Sequence, residues 1–91
     1  MYQTSDVMRD ELEVIEQVRS IMAETFGLDE DELPEDLTQN TFSAWTSLKH
    51  MLLMAGLEER FSIELSMDEM LAMKSQADIV RILRSRVTAA V

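Results

Sequence analysis

Hydrophobic positions recur with a helical period along most of the chain. Within residues 5–26, apolar side chains follow one another at intervals of three or four positions, which predicts an amphipathic helix ended by Gly27. Similar spacing predicts a second helix over 47–61, a short third over 66–73 and a fourth over 75–86. The predicted buried face of the first helix consists of Met8, Leu12, Ile15, Val18, Met22 and Phe26.

The segment between the first two helices is predicted to be a long loop. Residues 28–44 are mostly polar and include Pro34. Isolated apolar residues at Leu33, Leu37 and Phe42 are spaced as anchors that would pin this loop over the core, with a short helical turn interrupting it. The pattern therefore predicts an all-α fold of three long helices and one short helix.

The fourth helix has a recognisable start at Ser75 and Asp78, which fit a capping box with Asp in place of Glu. Residues 87–91 are predicted to fray. A chain of 91 residues with only two Gly and one Pro fits a single domain over 1–91, with its core over about 6–86.

Charge is unevenly distributed along the chain. The first 40 residues hold 12 acids and two arginines, whereas the remainder holds six of each sign, so the first part accounts for the whole net charge of −10. Such a domain repels phosphate backbones, which disfavours nucleic acid and favours basic protein partners. An equally weighted alternative is that most of these carboxylates only keep the domain soluble.

The cysteine content and the absence of targeting features both favour a cytoplasmic location. There is no cysteine, so folding makes no demand for an oxidising compartment. The N-terminus lacks the features of a signal peptide, and no apolar run approaches the roughly 18 residues of a membrane span. We expect a cytoplasmic monomer without membrane insertion.

Enzymatic and metal-binding sites are not indicated. Ser47 and His50 lie three residues apart, but no oxyanion-hole motif, glycine elbow or orienting acid accompanies them. His50 has no cysteine or second histidine to complete a metal site. The acidic run from Asp29 places Pro34 and Asn40 where a calcium loop needs Gly and Glu, so we expect neither catalysis nor a metal.

Two segments together resemble acyl carrier proteins. Residues 44–50 read Ala-Trp-Thr-Ser-Leu-Lys-His, and residues 57–65 read Leu-Glu-Glu-Arg-Phe-Ser-Ile-Glu-Leu. The family pattern is Trp or Gly-Ala, then Asp-Ser-Leu, then Leu-Glu-Glu-x-Phe-x-Ile-x-Ile, and the likeness extends over about 14–83. It implies a four-helix bundle in which Ser47 is esterified by 4'-phosphopantetheine from coenzyme A. Cargo would be held as a thioester on that arm, without catalysis by the chain itself.

The physical setting of Ser47 suits this attachment. A hydroxyl at the start of a helix is exposed and lies where the helix dipole favours a phosphodiester, and Lys49 could add attraction. The alternative is that Ser47 or Thr46 only caps the helix. Thr46 also stands where the family usually has the aspartate that the phosphopantetheinyl transferase recognises. This departure leaves open a dedicated transferase, a weakly loaded substrate, or a helical adaptor that is never loaded and works only by protein contact.

The second helix carries two apolar stripes that cannot both be buried easily. Leu48 and Leu52, with Met51, are predicted to face partner enzymes, unless the 28–44 loop covers them through Phe42 and Trp45. The other stripe belongs to the core and comprises Leu53, Met54, Leu57 and Phe61. The predicted partner interface comprises Thr46, Leu48, Lys49, Met51 and Leu52.

Methionine is concentrated in the second and third helices. These residues could form a deformable pocket for cargo, although an ordinary core role is the favoured interpretation. The clustered methionines are Met51, Met54, Met67, Met70 and Met73.

Gly56 is expected to lie where two helices approach closely. Besides the transferase, expected partners are acyl- or aminoacyl-loading and chain-modifying enzymes of fatty-acid-like, polyketide or nonribosomal biosynthesis.

Overall fold

The described part of the protein is a bundle of four helices. The computed structural model describes residues 4–35 and 37–89, with side chains described over 11–35 and 37–86. Within this part of the chain the only pairing of β type is an isolated bridge between Thr38 and Ser75. The all-α prediction is therefore confirmed. The helices are α1 (Thr4–Phe26), α2 (Ser47–Phe61), α3 (Met67–Ala72) and α4 (Gln76–Ala89), with a single 3₁₀ turn at Glu30–Glu32 in the long loop.

Capping side chains define where α3 and α4 begin. The Ser66 hydroxyl accepts from the Glu69 backbone N–H at 3.1 Å, and the Glu69 carboxylate accepts from the Ser66 N–H at 2.9 Å, a complete capping box. At α4 the Ser75 hydroxyl accepts from the Asp78 N–H at 3.1 Å, but the Asp78 carboxylate accepts from the Lys74 N–H at 3.3 Å. The predicted box is therefore wrong in its second half, because the bridge to the loop holds this stretch extended.

Helix α4 also ends later than predicted. Its backbone remains helical to Ala89, three residues beyond the expected end at Arg86. The three added residues include neither Gly nor Pro, and Arg86 in the last turn favours the negative end of the helix dipole. Residues 90 and 91 of the predicted frayed tail lie outside the described residues.

The buried face of α1 differs in part from the predicted one. Val18, Met22 and Phe26 are buried as expected, but Leu12 is 59% exposed. Direction around the helix does not explain this exposure, because at about 100° per residue Leu12 shares a side of α1 with the buried Phe26 and Ala23. Leu12 lies in the N-terminal half of α1, away from the end where Phe42 and Trp45 pack on Phe26. The face also includes Ile21 and Ala23, whereas Ile15 is half-buried. Met8 lies outside the described side chains.

Helices α1 and α2 approach closely at Gly56. A Cβ placed on Gly56 would lie 3.1 Å from Cγ2 of Ile21, closer than most side chains tolerate. The expected reason for this glycine is thereby confirmed. The core beside this contact consists of Leu53, Met54 and Leu57 from α2 with Ile79 and Leu83 from α4.

The long loop is fixed by apolar anchors and by one arginine. Leu33 and Leu37 are buried, and Phe42 packs partly buried against the core, as predicted. The guanidinium of Arg19 donates to the Leu33 carbonyl at 3.0 Å and to Oε1 of Gln76 at 2.7 Å. Further bonds reach the carbonyls of Pro34 and Glu30. Arg19 thus joins α1, the loop and α4.

Candidate functional site

The candidate site is the turn that begins α2. Ser47 is the first residue of the helix and is exposed. Thr46 is the N-cap: its hydroxyl accepts from the Lys49 N–H at 3.2 Å, and its carbonyl accepts from the His50 N–H at 2.8 Å. Within the described residues the Ser47 hydroxyl takes part in no hydrogen bond. Capping is therefore performed by Thr46, and the Ser47 hydroxyl remains available for chemistry.

Trp45 anchors this turn to the body of the protein. Its side chain is only 3% exposed, and its ring lies 5.8 Å from that of Phe26 at the end of α1. Phe42 packs on the same Phe26 ring at 5.0 Å. The loop aromatics thus converge on α1, and the backbone next to Ser47 is held by buried contacts although Ser47 itself is exposed.

A histidine extends this anchor to α3. Nε1 of Trp45 donates to Nδ1 of His50 at 3.0 Å, and Nε2 of His50 lies 2.9 Å from the Met70 carbonyl oxygen. Indole N–H can only donate, so Nδ1 must carry a lone pair and the proton must reside on Nε2. His50 is thus held as the neutral Nε2–H tautomer, which donates to the Met70 carbonyl. Sequence reasoning considered His50 only as a catalytic or metal-binding residue and missed this link.

Lys49 contacts α1. Its ammonium donates to the Thr25 carbonyl at 3.0 Å, one of the carbonyls at the negative end of the α1 dipole. This bond gives Lys49 a structural role that the sequence did not predict. Its attraction for an anion on Ser47 stays a prediction.

The outer surface of α2 is apolar and exposed. Leu48 is 68% exposed, Met51 62% and Leu52 50%. We call these three side chains the outer α2 surface. The long loop does not cover them, because Phe42 and Trp45 pack on Phe26 instead, so that alternative is wrong. The first turn of α2 also contains no acidic residue.

The methionine cluster is divided between core and surface. Met54 and Met73 are buried, as the core interpretation predicted. Met67 is 69% exposed on α3, beside the similarly exposed Leu71. A cavity of about 670 Å³ opens elsewhere, where Ile15 and other residues of α1 meet α4 and the end of the loop.

Neither metal ligands nor a membrane span is found in the described part of the chain. No group of three or more His, Cys, Asp or Glu side chains there could hold a metal ion. Of the helices described, none combines the length and the apolarity needed to cross a bilayer.

Comparison with known families agrees with this site. The family model described as the phosphopantetheine attachment site matches residues 16–83, which is more than half of the chain. The chain therefore belongs to the phosphopantetheine attachment site family, and it is a carrier protein with the acyl-carrier-like helical fold. Comparison with curated proteins gives no match.

Members of this family carry a covalently attached 4'-phosphopantetheine group, receive it from phosphopantetheinyl transferases and are typically not catalysts. The residues at the start of α2 fit such a group. Ser47 offers an exposed hydroxyl that is not used as a cap, on a helix end whose first N–H groups favour a phosphodiester. The turn itself is fixed by Thr46 and Trp45.

Proposed function

We propose that Oγ of Ser47 is the atom to which 4'-phosphopantetheine is attached, and that the chain carries cargo without catalysing its chemistry. The observation that carries the proposal is that different residues cap the helix and offer the free hydroxyl at its start. Thr46 satisfies the capping requirement, so the exposed Ser47 hydroxyl is left unbonded among the described residues. When bound, the group supplies a terminal thiol that holds acyl cargo as a thioester.

The chain's own residues would present this arm rather than act on it. Trp45 keeps the turn against α1, and Thr46 fixes the first turn of α2. The outer α2 surface would contact the transferase and the cargo-processing enzymes by hydrophobic burial. Because the first turn has no acidic side chain, we expect less dependence on salt than for an acidic recognition helix.

For the cargo, we propose only a broad chemical class. Acyl, polyketide and aminoacyl groups all fit a thioester carrier of fatty-acid-like or specialised biosynthesis. Trp45 resembles the tryptophan of small stand-alone carriers of specialised biosynthesis more than housekeeping fatty-acid carriers, which favours the specialised pathways. Partner enzymes select the cargo. A cytoplasmic monomer remains our expectation.

Loading of the purified chain tests the proposal. The chain is incubated with coenzyme A and several broad-specificity phosphopantetheinyl transferases, and its intact mass is measured. We expect an increase by one arm in the native chain and none in Ser47→Ala. Ser43→Ala is the matched control, because Ser43 is also exposed and lies four residues earlier, and it should load like the native chain.

Two outcomes would contradict the proposal. Loading of Ser47→Ala to the same extent would place the arm elsewhere. Failure of every transferase to load the folded native chain would favour the adaptor that works by protein contact alone.

A further inference from the structure

One side chain joins the turn that carries Ser47 to helix α3. His50 accepts from the Trp45 indole through Nδ1 at 3.0 Å and donates to the Met70 carbonyl through Nε2 at 2.9 Å. The indole and imidazole rings meet edge to edge through this bond, with centroids 6.0 Å apart and planes 27° apart. The link therefore constrains both the distance and the orientation of the two rings.

Helix α3 is weakly held to the rest of the molecule. It has six residues, none of them buried. A helix of this length is not stable alone, and segments with few buried apolar contacts open at low free energy. Among the described residues, its own side chains and backbone are attached by the half-buried Met70, by the ion pair between Glu69 and Arg86 at 2.6 Å, and by the bond to His50. The buried Leu65 and Met73 anchor only the segments that flank it. Helix α3 is thus the helix most readily displaced.

A displacement of α3 would act on His50 first. The Met70 carbonyl belongs to the α3 backbone, so it moves with the helix, and the imidazole must either follow it or lose its hydrogen bond. Trp45 is bonded to the other side of the same ring and lies two residues before Ser47. The exposed side chains of Met67 and Leu71 form an apolar surface on α3 that a partner protein could contact.

We propose that neutral His50 is a positioning residue that transmits displacement of α3 to the turn presenting Ser47. The inference rests on the proposed function, since it concerns how the attachment serine is presented. A partner that engages α3 would thereby alter the orientation of Ser47 without touching it.

The only tryptophan of the chain provides a specific probe of this coupling. Trp45 gives a single indole N–H signal in a ¹H–¹⁵N NMR spectrum, and that proton is the one donated to His50. Ser66→Ala removes the side-chain cap of α3, and Ser75→Ala removes the equivalent cap of α4 as a matched control. We expect Ser66→Ala to shift the indole signal and Ser75→Ala to leave it nearly unchanged.

Substitution of the histidine separates coupling from simple loosening. In His50→Asn the amide oxygen can replace Nδ1 as the acceptor for Trp45, but the shorter side chain cannot reach Met70. We expect Ser66→Ala to produce no indole shift in this background. His50→Gln provides the converse variant, able to reach Met70 but not to accept from Trp45, and it should abolish the response as well.

Equal indole shifts from Ser66→Ala with and without His50 would overturn the inference. So would an unshifted indole in a Ser66→Ala chain whose α3 amides exchange faster than those of the native chain. Because the measurement uses the unloaded protein, either result leaves attachment at Ser47 intact. Conversely, a chain that shows the coupling but accepts no arm would contradict only the proposed function.

Discussion

At the scale of single residues, the start of α2 separates capping from chemistry. Thr46 supplies the oxygen that accepts from the Lys49 N–H, which is the role an aspartate can also perform at an N-cap. What Thr46 lacks is the negative charge. We therefore expect the departure from the family pattern to affect recognition by the transferase more than the fold of the turn.

Thr46→Asp should raise the rate of arm transfer to Ser47. The substitution restores the carboxylate that transferases of the family generally recognise and keeps a side chain that can cap α2. Initial rates with one transferase, measured by intact mass, test this prediction. Thr46→Ala is the stability control and should cost about 1 kcal/mol of unfolding free energy. An unchanged rate for Thr46→Asp would show that the missing carboxylate does not limit loading.

At the scale of structural elements, one arginine holds the long loop in place. Arg19 bonds to three loop carbonyls and to Gln76 at once, a geometry that the planar guanidinium allows and a single ammonium does not. The loop leads directly to Trp45. Loss of this arginine should therefore loosen the approach to the site.

Arg19→Lys should destabilise the protein by about 1.5 kcal/mol, because several charge-assisted hydrogen bonds are lost together. Arg60→Lys is the matched control: Arg60 bonds to Gln17 and Glu24 on the surface and should cost less than about 0.5 kcal/mol. Urea unfolding of the two variants provides the comparison. Equally small decreases in the unfolding free energy of the two variants would show that Arg19 does not restrain the loop.

Helix α3 should weaken in acid because of Glu69. The Ser66 backbone N–H, and after it the Arg86 guanidinium, hold the pKa of Glu69 below its ordinary value of 4.5, despite some burial that raises it. A lowered folded-state pKa means that the stabilisation is complete above the ordinary value and is lost as the pH falls through the folded-state pKa.

Thermal unfolding between about pH 6 and pH 3 tests this effect in the native chain and in Glu69→Gln, which can keep the capping box but does not titrate. We expect the melting temperature of the native chain to exceed that of the variant at pH 6, and this difference to shrink as the pH falls. A constant difference between the two melting temperatures would contradict the prediction.

At the scale of the whole molecule, α2 divides its apolar residues between a buried core and an exposed surface. Leu53 is completely buried, whereas the neighbouring Leu52 is half exposed. The outer α2 surface lies on the same helix as Ser47. We therefore expect a protein that acts on an arm at Ser47 to meet exposed hydrophobic side chains beside it.

Leu52→Glu should lower the kcat/KM of the transferase about tenfold without unfolding the chain, as expected for a charge placed in an apolar contact. Leu12→Glu is the matched control, because Leu12 is similarly exposed, at 59% against 50%, but lies on α1. Circular dichroism of both variants checks folding. Equal turnover for the two variants would remove the outer α2 surface from the partner interface.

Much of this architecture was predictable because it follows from local patterns. The bounds of α2 followed from the Ser47 start and the apolar spacing, and Leu33 and Leu37 were identifiable as isolated anchors in a polar loop. Leu12 was misplaced because helical spacing does not show how far along α1 the packed partners extend, and Leu12 lies in the N-terminal half of that helix. The Arg19 contacts and the His50 link could not be predicted, since they join residues 57 and 20 positions apart.

The position of the arm is the central claim, and peptide mapping tests it most directly. Trypsin cleaves after Arg19 and Lys49, so the loaded chain gives a peptide of residues 20–49 that contains Ser43, Thr46 and Ser47. Tandem mass spectrometry of this peptide assigns the added mass to one residue. We predict that it lies on Ser47, and an arm found on any other residue of this peptide or in another peptide would contradict the account.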